Sequence, residues 1–196
     1  MAIRKRALIL ASTSPQRRRL LKRLKRPFRI VPSGVSEKSS EKNPRRLTIE
    51  LARRKATAIS KKYPDALVLG ADTLVFCQGE ILGKPKNLAD SLRILRLLNG
   101  RWHAVYTGVA VSCREAGVMV SQAHLTRVKA RKLDPAALAA LAGKHSDKAG
   151  SYAVQDKEDP FISHIRGDMD NVIGLPLKTV RRLLALARKK VLKKKP

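Results

Sequence analysis

Hydrophobic and polar positions along this chain fall into short blocks that alternate between strand-like and helix-like patterns. Residues 7–11 form a continuous apolar run suited to a buried strand, and Ser12-Thr13-Ser14 follows as a polar turn. Pro15 then opens a helical stretch with Leu20, Leu21 and Leu24 on one face. Ser14 stands where an N-cap belongs and Pro15 fits the first helical position. Residues 44–62 predict a second helix, with Leu47, Leu51, Ala52, Ala56 and Ile59 near helical spacing. Residues 66–70 read as a strand with Ala71-Asp72-Thr73 at its end, and residues 74–77 and 80–82 flank Gln78-Gly79 as a hairpin.

Further on, residues 88–98 predict an amphipathic helix stopped by Asn99-Gly100. Residues 103–113 and 118–128 read as two long strands around Glu115-Ala116-Gly117. Asp134-Pro135 caps a short helix ending at Gly143, residues 161–165 suit a strand, and residues 177–192 a terminal helix. Early alternation of strands and helices, followed by a long hairpin, predicts an α/β fold with a mixed central sheet and flanking helices. A length of 196 residues, 43% of them apolar, suits one domain with a real core, or two lobes of one domain.

Charge changes the picture. The chain carries 43 Lys and Arg against 15 Asp and Glu, for a net +28. Its first acidic residue is Glu37 and its last is Asp170, so both ends are cationic. Such ends suit nucleic acid, an anionic membrane or a phosphorylated substrate, although a solvated basic surface is the plainer account. The expected organisation is a domain over residues 1–187 and a basic tail over 188–196, the tail reading as a frayed helix end. Nonspecific nucleic-acid contact would fall on that tail. A dedicated nucleic-acid-binding protein is the rival reading, but only 4% of residues are aromatic and no zinc-finger or helix-turn-helix pattern occurs.

Two cysteines make no disulfide framework, and the four histidines are scattered, which points to a reducing, cytoplasmic setting. No stretch approaches about 20 apolar residues, so no membrane span is expected. The basic start leads into an apolar run too short for a secretory signal.

Candidate chemistry sits in the turns. Ser12-Thr13-Ser14-Pro15-Gln16-Arg17 joins a strand to a helix N-terminus, where free backbone N–H groups, hydroxyls and a guanidinium suit a phosphate. Simple capping by Ser14 with a solvated Arg17 is the alternative. Asp72 in Gly70-Ala71-Asp72-Thr73 is a carboxylate just past a strand's C-terminal end, an edge where open α/β sheets bind ligands, or else a turn cap. Lys84 lies between Gly83 and Pro85, aimed at a phosphate or simply in a surface turn. Residues 147–155, polar and glycine-containing, suit a binding loop. Together these supply the hydroxyls, cations and carboxylate of a phosphate-handling site. The lack of a Gly-x-Ser-x-Gly elbow argues against a serine hydrolase.

These residues carry a resemblance. The run Leu8-Ile9-Leu10-Ala11-Ser12-Thr13-Ser14-Pro15-Gln16-Arg17-Arg18 resembles the opening of the Maf nucleotide pyrophosphatases. Val68-Leu69-Gly70-Ala71-Asp72-Thr73, Ile81-Leu82-Gly83-Lys84-Pro85 and Tyr106-Thr107-Gly108-Val109 follow in the family's order. So do residues 147–155 and Asn171-Val172-Ile173-Gly174-Leu175-Pro176-Leu177. The resemblance implies a two-lobed, inosine-triphosphatase-like fold with a deep active-site cleft. It implies hydrolysis of a nucleoside triphosphate between its α- and β-phosphates, to a monophosphate and pyrophosphate, in a house-cleaning role. Homodimers are usual in the family.

By the same resemblance Asp72 is the proton acceptor, with Glu37 beside it and Lys84 at the leaving phosphates. Ser12, Ser14, Arg17 and Lys55 line the phosphate site. A divalent cation, Mg2+ or Mn2+, would be held by Asp72 and Glu37, because a carboxylate alone is too weak a base for free water. Gln16, Thr73 and Gln155 match the positions that divide the family by substrate. Thr73 and Gln155 agree with members acting on dTTP and UTP, while Gln16 matches neither the arginine of those members nor the tryptophan of those preferring 7-methyl-GTP. Asp156, Glu158 and Asp159 replace a glycine-rich stretch seen in many members and read as a solvated loop or an extra metal-side patch. The other reading of a Maf-like chain is a non-catalytic regulator of cell division; the retained site residues argue against it.

Overall fold

The computed structural model describes residues 6–154 and 160–193 of the chain. Its elements are β1 (Leu8–Leu10), α1 (Pro15–Lys22), β2 (Arg29–Ile30), α2 (Pro44–Lys62), β3 (Leu67–Cys77), β4 (Glu80–Leu82) and α3 (Leu88–Leu98). After these come β5 (Trp102–Cys113), β6 (Val118–Ala130), α4 (Pro135–Leu141), β7 (Ile162–Arg166), α5 (Met169–Ile173) and α6 (Leu177–Lys193). A 3-10 turn at Ala149–Ser151 precedes β7. The strands form one mixed sheet in the order β2-β1-β3-β5-β6-β7, with β4 paired to β3. β1 lies parallel to both β2 and β3, whereas β4 on β3 and β7 on β6 are antiparallel. The expected mixed α/β architecture with flanking helices is what the chain adopts.

The chain divides into two compact units, and the division falls within β3, β5 and β6. The first comprises residues 1–72, 107–124 and 174–196; the second comprises residues 73–106 and 125–173. Each has its own core. In the first, Ile9 and Ala11 pack with Ala52, Ala56 and Ile59 of α2, Val68 of β3 and Ala110 of β5. In the second, Ile94, Leu95 and Leu98 of α3 pack with Val75, Val105, Val128 and Phe161. Among the described residues no helix is long and apolar enough to cross a membrane.

Local sequence explains the boundaries. Ser14 caps α1 by accepting from the Arg17 amide, and Asn43, Asn87 and Asp134 cap α2, α3 and α4 in the same way. Such caps are worth about 1 kcal/mol each. Gln78 and Gly79 take positive φ angles in the turn between β3 and β4, as the hairpin pattern requires.

Asp72 does not stand past the end of a strand; it is a middle residue of β3, which runs unbroken through Leu67–Cys77. Gly70 looks like a strand terminator but serves a close approach. A Cβ there would come within 2.2 Å of the Ala52 carbonyl oxygen and 2.8 Å of the Ala56 amide nitrogen. Gly108 on β5 plays the same part, with the Thr48 carbonyl oxygen at 2.1 Å from such a Cβ. Two glycines therefore let α2 lie directly against the backbones of β3 and β5.

Candidate active site

The site begins with strand register. Leu8, Ile9 and Leu10 of β1 pair in parallel with Leu67, Val68 and Leu69 of β3. β1 stops after Leu10 while β3 continues, so Ser12 and Asp72 lie toward the same end of adjoining strands. Ser12 is buried, and its Oγ accepts from the Ser14 amide at 3.2 Å. The Ser14 hydroxyl donates to Gln16 Oε1 at 2.9 Å and accepts from the Arg17 amide at 3.4 Å. The serines thus shape the helix start and hold the Gln16 amide in place.

Arg17 reaches inward from the first turn of α1, and its Nε donates to the Gly174 carbonyl at 3.0 Å. Burial pulls its guanidinium below the usual arginine range, and the charges of Asp72 and Glu37 push it back up. It stays cationic throughout. Gly174, at φ 118°, belongs to the last motif noted in the sequence. Its role as the carbonyl that anchors Arg17 is invisible to sequence, because a main-chain acceptor leaves no residue-type signal.

Lys55 is the hub. It projects from α2, whose position is fixed by Gly70 and Gly108. Its Nζ donates to Asp72 Oδ1 at 2.6 Å and to Glu37 Oε1 at 2.7 Å. The Lys55 and Asp72 side chains are 8% and 9% exposed, whereas that of Glu37 is 60% exposed. Burial raises the Asp72 carboxyl above the ordinary 3.8, against the opposing pull of Lys55 and Arg17; the Glu37 charge adds to the rise. Both partners of the Asp72–Lys55 pair are out of water, so the pair costs desolvation and is a poor device for stability alone. A perturbed, buried carboxylate flanked by two cations is an arrangement that functional sites use.

Seven sequence-predicted residues, Ser12, Ser14, Gln16, Arg17, Glu37, Lys55 and Asp72, lie in the first unit. Thr73 and Lys84 belong to the second. There Lys84 is exposed in its turn, and the neighbouring Gly83 carbonyl accepts from the Gly150 amide at 3.2 Å. Two segments singled out separately in the sequence, the Lys84 turn and the loop from Asp147, are thereby tied together. Gln155, with Asp156, Glu158 and Asp159, lies outside the described residues.

Comparison with known proteins gives one family. The family described as Maf-like protein matches residues 7–187. A protein of Elusimicrobium minutum named dTTP/UTP pyrophosphatase is 45% identical over 177 residues, covering 90% of this chain and 96% of the relative. Proteins of the same name from Moorella thermoacetica and Thermococcus kodakarensis are 46% and 43% identical over 182 residues, covering 91% of this chain and 94% and 96% of theirs. A crystal structure of a nucleoside-triphosphatase (dITP/XTP pyrophosphatase) from Mycobacterium abscessus aligns at a TM-score of 0.46 and 15% identity, over 93% of this chain and 97% of that one.

Proposed function

The chain belongs to the Maf family, and on that footing we propose that it is a nucleoside triphosphate pyrophosphatase acting on dTTP and UTP. Water attacks the α-phosphorus, the bond from that phosphorus to the oxygen bridging to the β-phosphate breaks, and pyrophosphate leaves. The products are the nucleoside monophosphate, pyrophosphate and a proton. The observation that carries this reading is Lys55 Nζ held between Asp72 and Glu37, with Arg17 charged alongside.

In this reading Asp72 accepts the proton of the attacking water. Its raised carboxyl makes it a better base than an exposed aspartate. An ammonium carries three donors, so Lys55 has one beyond those used by the two carboxylates and can turn it to a phosphate oxygen. Arg17, fixed by Gly174, brings a guanidinium charge to the phosphates. Ser12 and the amides at the start of α1 add neutral donors. Thr73, Lys84 and Gln155 enter the proposal through their family motifs.

A divalent cation, Mg2+ or Mn2+, is part of the proposal. Asp72 and Glu37 are hard oxygen donors already converging on one cationic atom, which fits a magnesium-type ion bound by two carboxylates and substrate phosphates. When bound, such an ion would neutralise triphosphate charge and make the attacking water more acidic. A cytoplasmic homodimer belongs to the same proposal, supported by the family resemblance. The test is product analysis: dTTP, UTP, CTP, GTP and 7-methyl-GTP are offered with magnesium or manganese. Monophosphate with pyrophosphate from dTTP and UTP is expected; diphosphate with orthophosphate would overturn the reading.

A further inference from the structure

A separate feature of the first unit lies at the other end of α1. A groove of about 470 Å³ is lined by Arg18, Lys22, Lys25, Arg26, Phe28 and Ile30, with no acidic residue on its walls. We propose that this groove binds the phosphate backbone of single-stranded nucleic acid. It is distinct from the basic tail at residues 188–196, to which charge alone would assign such contact. Much of that tail continues α6, with Val191 buried.

Cations at a helix C-terminus have an ordinary use, since they offset its partial negative charge. Here that use accounts for little. The last carbonyls of α1 already accept backbone amides: Leu20 from Arg23, Leu21 from Leu24, and Lys22 from Lys25. Lys22 and Lys25 are exposed and make no ion pair among the described residues. Arg26 Nη2 donates to the Arg6 carbonyl at 3.1 Å, while its Nη1 is buried without a hydrogen-bond partner among the described residues. Arg26 therefore lines the groove as a cation braced by the Arg6 carbonyl.

The apolar part of the lining selects the ligand. Phe28 is half-buried and Ile30 is 38% exposed, so the groove offers an aromatic and an aliphatic face beside its cations. Single strands use both kinds of surface, with backbone on cations and unstacked bases on apolar or aromatic faces. A duplex hides its base faces. A bilayer surface meets protruding cations better than concave ones. The volume lies within the about 300–1,000 Å³ that ligand-sized pockets occupy, more than a lone phosphate needs.

The experiment measures binding of a fluorescein-labelled oligouridylate to the full chain by anisotropy across a salt series. The variant Lys22→Gln/Lys25→Gln/Arg26→Gln is compared with Arg188→Gln/Lys189→Gln/Lys190→Gln, which removes equal charge from the tail. The groove variant should lose affinity at least about tenfold, and its salt slope should become shallower by roughly 2 for three lost phosphate contacts. The tail variant should bind within about twofold of the parent. Thermal melting and dTTP turnover report whether each variant is folded. If the triple variant melts early, Lys22→Gln/Lys25→Gln, which leaves Arg26 in place, should still weaken binding. Equal losses from groove and tail, an unchanged groove variant, or groove-dependent binding to anionic vesicles but not to the oligonucleotide would overturn the proposal. Failure here leaves the pyrophosphatase reading untouched, since that is read from dTTP products.

Discussion

Lys55 Nζ lies 2.6 Å from Asp72 Oδ1, and both side chains are buried. The pair sets how basic Asp72 can be. Burial raises the carboxyl, and Lys55 is the largest influence holding it down. Lys55→Met should therefore raise Asp72 further. A base must be deprotonated to work, so the acid limb of the kcat/KM profile should move to higher pH. In the parent that limb should already lie above the ordinary 3.8. An unmoved limb in Lys55→Met would separate Asp72 from the titration.

Gly70→Ala and Gly108→Ala test the seating of α2. Each added methyl meets backbone, at 2.2 Å from Ala52 O and 2.1 Å from Thr48 O, and backbone cannot step aside as a flexible side chain can. The cost should reach or exceed about 1–3 kcal/mol, the usual range for overpacking. Turnover should fall as well, because a shifted α2 moves Lys55 away from Asp72. Urea unfolding with steady-state kinetics checks both effects. Unchanged stability would mean that the contacts are looser than they stand.

Arg17→Lys keeps the charge but removes the Nε–H that meets Gly174 O. A hydrogen bond to a charged group is worth about 1.5–3 kcal/mol, so kcat/KM should drop roughly ten- to a hundredfold. Wild-type kinetics in this variant would mean that the anchor at Gly174 is not used.

His103 predicts a pH effect on stability away from the site. It is buried in the second unit, 2.9 Å from the Tyr152 hydroxyl, and burial lowers its pKa from 6.5 to about 4. The unfolded chain takes up this proton first as pH falls. Stability from the neutral imidazole is therefore present above about 6.5 and is lost progressively toward 4. The full difference is roughly 3 kcal/mol. In His103→Gln the decline in unfolding free energy over that window should be smaller; an equal decline would assign it to other groups.

How much was legible follows from where each signal resides. The helices α2 and α3 stand at the residues their periodicity marks, because long amphipathic faces and Asn caps are written in side chains. β2, with two residues, and α5, with five, are too short to carry a period that sequence could show. The sequence pattern divides β3 at Gly70 and Asp72, because a glycine and an aspartate read as a turn. Only the approach of α2 reveals the glycine's purpose, and the cations Lys55 and Arg17 explain a charge within a buried strand. The Asp72, Glu37 and Lys55 cluster is legible only through family motifs, since spacing does not join residues so far apart in sequence.

The central claim is that Asp72 is the base for α-β cleavage of a nucleoside triphosphate. Its most direct test is Asp72→Asn, assayed for pyrophosphate release from dTTP under saturating magnesium or manganese, with folding verified by thermal melting. The amide keeps the size of the side chain but cannot take the proton. Release should fall by at least the roughly hundredfold that a general base contributes. Wild-type release from the folded variant would contradict the account.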